Sequence, residues 1–316
     1  MKRFLKKTAL FIIITGSIMV LLLLHQDPEF IVGRKKIYME KNADKNYDLL
    51  VLGSSRAMYT FNPTVYTGNK RLFNMGEEGQ GFPSNYLMMK MLVEKHQLNI
   101  HSLLLQVDEF SFDGTVGFSR KFRDDFFVTD IDDPEVYEAF KKYRGAGFAS
   151  TLKFFPKSAN LIYCDLPHFI KYQLFSMKRF IPRLNKIYEK HLNEVVKEKG
   201  YKSVKANKEV PIMRQHLIIE SDDRYYFEKL VSFCQSHNIR LYFYRAPVLA
   251  CETVNGKAFE QYMDSFTRAN NIPFYDYKCQ YQQPGEYYDQ NHPARKISTE
   301  VTKDLLRKLG LLEGEQ

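Results

Sequence analysis

The chain has no tryptophan, only four cysteines in 316 residues, no internal repeat and no low-complexity tract. The lack of repeats excludes a solenoid or propeller. Cys164, Cys234, Cys251 and Cys279 show no zinc-ligand spacing, and no histidine has a metal-like partner, so neither a metal nor another cofactor is expected. The Gly-rich stretch Gly76–Gly81 has the wrong spacing for a dinucleotide loop. The formal net charge is +9, but part of it is local: Lys2, Arg3, Lys6 and Lys7 open the chain, and Arg34, Lys35 and Lys36 form a second cluster. No RNA- or DNA-binding motif accompanies them, so no nucleic-acid partner is expected. What is present is a hydrophobic fraction of 44%, enough for a buried core. The 25 Phe and 21 Tyr suit an aromatic core, or an aromatic-lined groove for sugars or lipids.

Thr8–Leu24 is an uncharged run, TALFIIITGSIMVLLLL. At about 1.5 Å per residue it spans roughly 25 Å, the short end of a membrane crossing. Basic residues before it and acidic ones after it place the N-terminus in the cytoplasm and the rest outside. A cleaved signal peptide shares this pattern, but HQDPEF offers no small-residue cleavage site. Both readings put the globular part outside the cytoplasm, where cysteines can oxidise. Cys251 and Cys279 each follow a predicted strand and can pair if those strands are neighbours. Cys234, in VSFCQSH, reads as a small buried residue.

The expected division is an anchor at 1–27, a polar charged stem at 28–46 and one α/β domain at 47–316. Short apolar runs bounded by turn residues predict five strands: DLLVLG at 48–53, RLFNM at 71–75, SLLLQV at 102–107, NIRLYFYR at 238–245, and 272–277. Helical patterns separate them after Pro83, over DDRYYFEKLVSFCQSH, near 257–269 and over 294–309. This alternation predicts a parallel five-stranded sheet in a three-layer α/β/α sandwich, with its site beyond the carboxyl ends of the strands. An insert at about 111–221, rich in Phe, Tyr, Lys and Arg, reads as a lid, a membrane-facing surface or extra packed helices.

Three places at that edge carry chemistry. Gly53-Ser54-Ser55-Arg56 can present a hydroxyl where a buried strand turns into a loop. Asp289 and His292, three apart, can supply a base and the group that orients it. Gly79, in the loop after the second strand, and the N–H of Ser55 can stabilise an oxyanion. Asp276 is an alternative to Asp289. Arg56 and Arg245, at strand ends, and Asn74 are candidate substrate-binding residues, with a structural salt bridge as the other reading for each arginine.

A strand ending L-G-S-S, a second ending F-N-M-G-x-x-G and a late D-x-x-H together resemble the SGNH/GDSL hydrolase superfamily. The resemblance covers about 47–312, although only these short blocks are diagnostic. It implies a flavodoxin-like sheet, Ser55 as nucleophile, Gly79 as oxyanion glycine, and Asp289 and His292 as the rest of a triad. Ser54 replaces the usual Asp, as in cell-envelope members resembling alginate O-acetyltransferases and D-alanyl lipoteichoic acid transfer proteins. That variant implies an acylated glycan or envelope polymer as substrate, and a membrane O-acyltransferase as a partner. The third block usually supplies an oxyanion Asn; here Val107-Asp108-Glu109 has none. An inactive scaffold or binding protein is therefore the alternative to an enzyme.

Overall fold

A computed structural model describes residues 2–25, 34–42, 44–112, 122–154, 193–207, 215–216, 221–249, 251, 253–254 and 256–312. The chain divides into two units: Met1–Ile37 with Asp124–Asn193, and Tyr38–Arg123 with Glu194–Gln316.

The larger unit is built on five parallel strands: β1 (Leu49–Leu52), β2 (Leu72–Asn74), β3 (Ser102–Gln106), β4 (Arg240–Arg245) and β5 (Phe274–Asp276). Their spatial order is β2-β1-β3-β4-β5, and every pairing is parallel. β1 and β3 are buried on both faces, which is why they read as continuous Leu/Val runs rather than alternating ones. Chain direction across the sheet reverses between β1 and β3, the point where doubly wound sheets open a crevice.

Helices cover both faces, giving three layers. On one side lie α3 (Ser55–Thr60) and α9 (Arg295–Lys308). Leu49, Val51, Leu104 and Tyr244 from the sheet meet Ala57, Phe61, Ile297, Val301 and Leu305 there. On the other side α4 (Phe82–Lys90) packs on α7 (Ser221–Ser236), next to α8 (Gly256–Asn270). Phe227 of α7 lies 5.3 Å from Phe243 of β4, 5.0 Å from Phe82 and 4.9 Å from Phe266. Burying side chains of this size stabilises by about 1.5–3 kcal/mol each, so much of the aromatic content serves the core. Cys234 is fully buried on α7, as its context suggested, and burial pushes its thiol up. Cys251 and Cys279 form a disulfide.

The smaller unit contains α1 (Lys2–His25), the three-residue-turn segment Asp124–Asp130, α5 (Pro134–Arg144) and α6 (Ala146–Phe154). Asp133 caps α5 by accepting the N–H groups of Glu135 and Val136 at 2.9 and 3.1 Å. Phe140 and Phe148 stack between α5 and α6. Among the described residues no helix is long and apolar enough to cross a membrane. On α1 the side chains of Phe4, Leu10, Phe11, Ile12, Ile13 and Ile14 are exposed.

Within the expected stem α2 (Arg34–Lys41) forms, and Lys35, Lys36 and Met39 are buried. The Lys36 ammonium reaches the Asp130 carboxylate and the Phe126 carbonyl, which offset its desolvation. Inside the expected insert at about 111–221, the larger unit continues to Arg123 and resumes at Glu194. Cys164 and the basic aromatic stretch 167–192 lie outside the described residues.

Candidate active site

β1 ends at Leu52, and Gly53 turns the chain with φ +146°, a conformation that L side chains rarely adopt. A Cβ at this position would stand 2.6 Å from the Gln106 Cβ and 2.8 Å from that of Ala57. Glycine therefore lets the end of β3 close on the turn. Ser54 is the N-cap of α3, its Oγ accepting the Arg56 N–H at 3.3 Å. Ser55 is the first residue of the helix, where its own N–H has no intrahelical acceptor.

Opposite stands a tight antiparallel pair, β6 (Tyr287–Asp289) and β7 (His292–Pro293). Asp289 Oδ1 accepts the Asn291 N–H at 2.8 Å, closing the turn. Asp289 Oδ2 lies 2.7 Å from His292 Nδ1, and His292 Nε2 lies 2.8 Å from Ser55 Oγ. Residues 237 positions apart thus meet in one line of hydrogen bonds. With Nδ1–H donating to the carboxylate, Nε2 is left to accept the Ser55 hydroxyl proton. Burial raises the Asp289 carboxyl, but the bonds from His292 and the Asn291 N–H outweigh it and hold the group below its usual range. It is therefore ionised at neutral pH. The Tyr59 ring meets the imidazole edge-on at 4.9 Å, which fixes its plane.

Asp276, the alternative orienting acid, is elsewhere. It accepts from Arg245 Nη1 at 3.0 Å and from the Lys278 N–H at 2.9 Å.

Gly79 sits in an exposed turn with φ +71°, and neither its N–H nor that of Ser55 has an acceptor among the described residues. Its link to the triad runs through Glu78, whose Oε1 accepts Tyr59 Oη at 2.7 Å and Lys202 Nζ at 3.0 Å. Those two bonds hold the Glu78 carboxyl below its usual range. Arg123 Nη1 takes the Glu78 carbonyl at 2.6 Å. The glycine turn is thereby tied to the ring that packs on His292.

The candidate substrate-binding residues take on internal roles instead. Asn74 is fully buried, and its Nδ2 donates to the carbonyls of Ala57 and Phe61 at 2.8 and 2.7 Å. It thus satisfies the end of α3, while its Oδ1 accepts the Gly76 N–H at 2.9 Å. Arg245 is held by Glu109 and Asp276, with Lys278 also on Glu109. Arg56 is 5% exposed and donates to Asp108 Oδ2 at 2.5 Å and Asn291 Oδ1 at 2.7 Å. Burial and pairing leave these side chains little capacity for an anionic ligand.

Sequence reading missed Gln106, Asp108, Asn291, Tyr59 and Lys202. The first carried a signal: Gln106 is an amide at the end of the apolar run Leu103–Leu105, as Asn74 is at the end of β2. The described residues hold no group of His, Cys, Asp and Glu arranged for a metal ion. No family model matches the sequence, and no curated protein is significantly similar to it.

Proposed function

We propose that this protein is an extracytoplasmic serine esterase or O-acyltransferase with an SGNH-like, flavodoxin-like fold, acting on acyl esters of a cell-surface polysaccharide or related envelope polymer. The reading is carried by the hydrogen-bonded line Ser55 Oγ, His292, Asp289 at 2.8 and 2.7 Å. The Ser55 oxygen attacks the acyl carbonyl while His292 Nε2 takes its proton. The N–H groups of Ser55 and Gly79, which have no acceptor among the described residues, stabilise the oxyanion. Collapse breaks the ester bond, and the imidazolium gives its proton to the departing alcohol. Water or a glycan hydroxyl then attacks the acyl-enzyme with His292 as base, releasing free acid or acylated glycan.

The uncharged run Thr8–Leu24, its basic flank and the exposed apolar side chains on α1 support a membrane anchor with the catalytic domain outside. A membrane O-acyltransferase as acyl supplier follows from the resemblance alone.

A serine-directed fluorophosphonate probe tests the reading. Wild type is expected to label and Ser55→Ala not to. Acyl-donor assays with and without a glycan acceptor then separate transferase from esterase. One observation favours a second reading, a non-catalytic scaffold. The end of β3, Val107-Asp108-Glu109, offers no Asn amide donor, and losing one oxyanion donor typically costs about 2.7–4 kcal/mol. A folded wild type that does not label would support the scaffold.

A further inference from the structure

The buried polar side chains that the reaction leaves unused form a closed circuit around the nucleophile. Gln106 Oε1 accepts both the Ser54 N–H at 3.1 Å and the Ser54 Oγ–H at 2.9 Å. Gln106 Nε2 donates to Asp108 Oδ2 at 2.7 Å, the oxygen that also accepts Arg56. Asp108 Oδ1 accepts the Ser111 N–H at 2.9 Å and its hydroxyl at 3.0 Å. Four donors thus fill both oxygens of a carboxylate that is 1% exposed, and its position is over-determined. The second arm of Arg56 crosses to Asn291 Oδ1. The Asn291 N–H binds Asp289, Asp289 binds His292, and His292 binds Ser55, which lies between Ser54 and Arg56 in the chain. Phe110 covers the guanidinium at 5.4 Å.

We propose that Arg56 is a positioning residue that locks the 289–292 turn against the nucleophile turn, and so sets the Ser55–His292 and His292–Asp289 distances. A buried ion pair is weak evidence for stability. This one spends its second arm on a neutral side-chain oxygen between the acid and the base, where orientation is what it can supply. A guanidinium offers two directed arms in a rigid plane, whereas an ammonium is a single point that cannot hold Asp108 and Asn291 in the same way. Misplacing reacting groups by about 1 Å can cost about 10²-fold in rate.

The kinetic half of the test rests on the acyl-transfer reading, so a second readout stands apart from it. Full-length wild type, Asn291→Ala, Asn291→Asp, Arg56→Lys and the Arg56→Lys/Asn291→Ala double variant are compared for hydrolysis of an activated acyl ester. The same proteins are examined by NMR for the far-downfield proton of the His292–Asp289 hydrogen bond, and by circular dichroism for folding. Asn291→Ala lies in a partly exposed turn and keeps the protein foldable even if Arg56→Lys does not. Expected are a ten- to hundredfold fall in kcat with KM little changed for Asn291→Ala and Arg56→Lys, and broadening of the downfield proton in both. The double variant is expected to be no worse than the poorer single variant within about threefold, and Asn291→Asp, which keeps an oxygen on the guanidinium, to recover most of kcat. A folded Asn291→Ala protein with wild-type kcat and an unchanged downfield proton would overturn the proposal, as would losses that multiply in the double variant. If wild type shows no Ser55-dependent chemistry, the reaction fails as a reading, while the downfield proton still decides whether Arg56 positions the imidazole.

Discussion

Two arginines stand at the carboxyl edge of the same sheet, and their surroundings separate them. Arg56 follows β1 and Arg245 ends β4. Both are almost wholly buried, and each faces an acid from the end of β3: Asp108 for Arg56, Glu109 for Arg245. Adjacent residues thus diverge to opposite sides of one strand end. Beyond that the two regions differ in kind. Arg245 closes on charged groups, Glu109 and Asp276, with Lys278 completing a compact ionic cluster. Arg56 passes its second arm to Asn291 and so reaches the catalytic turn. A buried cation that ends among counter-charges holds structure. One that bridges to a neutral oxygen beside a reactive group can hold geometry for chemistry. The Ser55 region should therefore fail in rate, and the Arg245 region in stability.

The largest expected effect breaks the first region alone. Ser55→Ala removes the proposed nucleophile and should lower turnover by roughly 10⁴–10⁶-fold, the range seen when single members of a triad are lost. Its unfolding free energy in urea should stay within about 0.5 kcal/mol of wild type, because a small, partly exposed side chain is trimmed. A variant that unfolds early instead would mean that Ser55 is chiefly structural.

Breaking the second region should give the reverse. Glu109→Ala removes the buried acid that Arg245 and Lys278 share and leaves Arg245 only the more exposed carboxylates of Asp276 and Glu260, at 3.0 and 3.7 Å. Removing one partner of a buried ionic set costs about 3–5 kcal/mol. Urea unfolding should show that loss, while turnover per folded molecule stays near wild type. A turnover loss matching the Arg56 variants would merge the two regions and end the distinction.

How much of this contrast the sequence carried depends on the range of the interaction. β1 and β3 were legible as unbroken apolar runs because both faces are buried. β5 was harder: only Phe274–Asp276 pair, at a half-exposed edge, so the expected 272–277 was too long. The meeting of Ser55, Asp289 and His292 was legible because a hydroxyl, a base and an orienting acid confine three residue types to strand ends and one local spacing. For Arg56 and Arg245 the salt-bridge reading was legible, but the identity of the partners was not. Their partners lie 235 and 136 positions away, and nothing in Val107-Asp108-Glu109 says which acid turns toward which cation. Asn74 invited a binding role because it sits at a strand end, yet its amide is consumed by two helix carbonyls. Such assignments require the sheet to exist first.

The disulfide sharpens the comparison because it joins loops of both regions. Cys279 follows Lys278 of the ionic cluster. On the other strand-end loop, two residues before Cys251, the Leu249 N–H donates to the Gln290 carbonyl at 2.8 Å, within the catalytic turn. The bond spans 28 positions, for which loop entropy gives about 3–4 kcal/mol. The Cys251→Ser/Cys279→Ser variant should lose about that much in urea unfolding. It should also lose a few-fold in turnover through Gln290. A loss of stability with turnover untouched would show that the catalytic turn is held from the Arg56 side alone.

The smallest expected difference is in acid, and its sign follows from two lowered carboxyls. Burial raises Glu109, but the neighbouring Arg245 and Lys278 charges outweigh it and hold the group below the ordinary glutamate range. Asp289 is held low in the same sense by His292 and the Asn291 N–H. A carboxyl depressed in the folded state contributes stability above its unfolded value, about 4, and loses it as pH falls through the folded value. Both therefore steepen the fall of stability below about pH 4. The contributions should be unequal. Glu109 is nearly buried, whereas the Asp289 side chain is 42% exposed and solvent screens much of its gain. Stability measured by urea from pH 6 down to pH 3 should flatten clearly in Glu109→Gln and only slightly in Asp289→Asn. If Asp289→Asn flattened it as much, the catalytic carboxylate would be carrying structural load, and the separation between an ionic cluster that holds the fold and a circuit that holds the chemistry would have to be withdrawn.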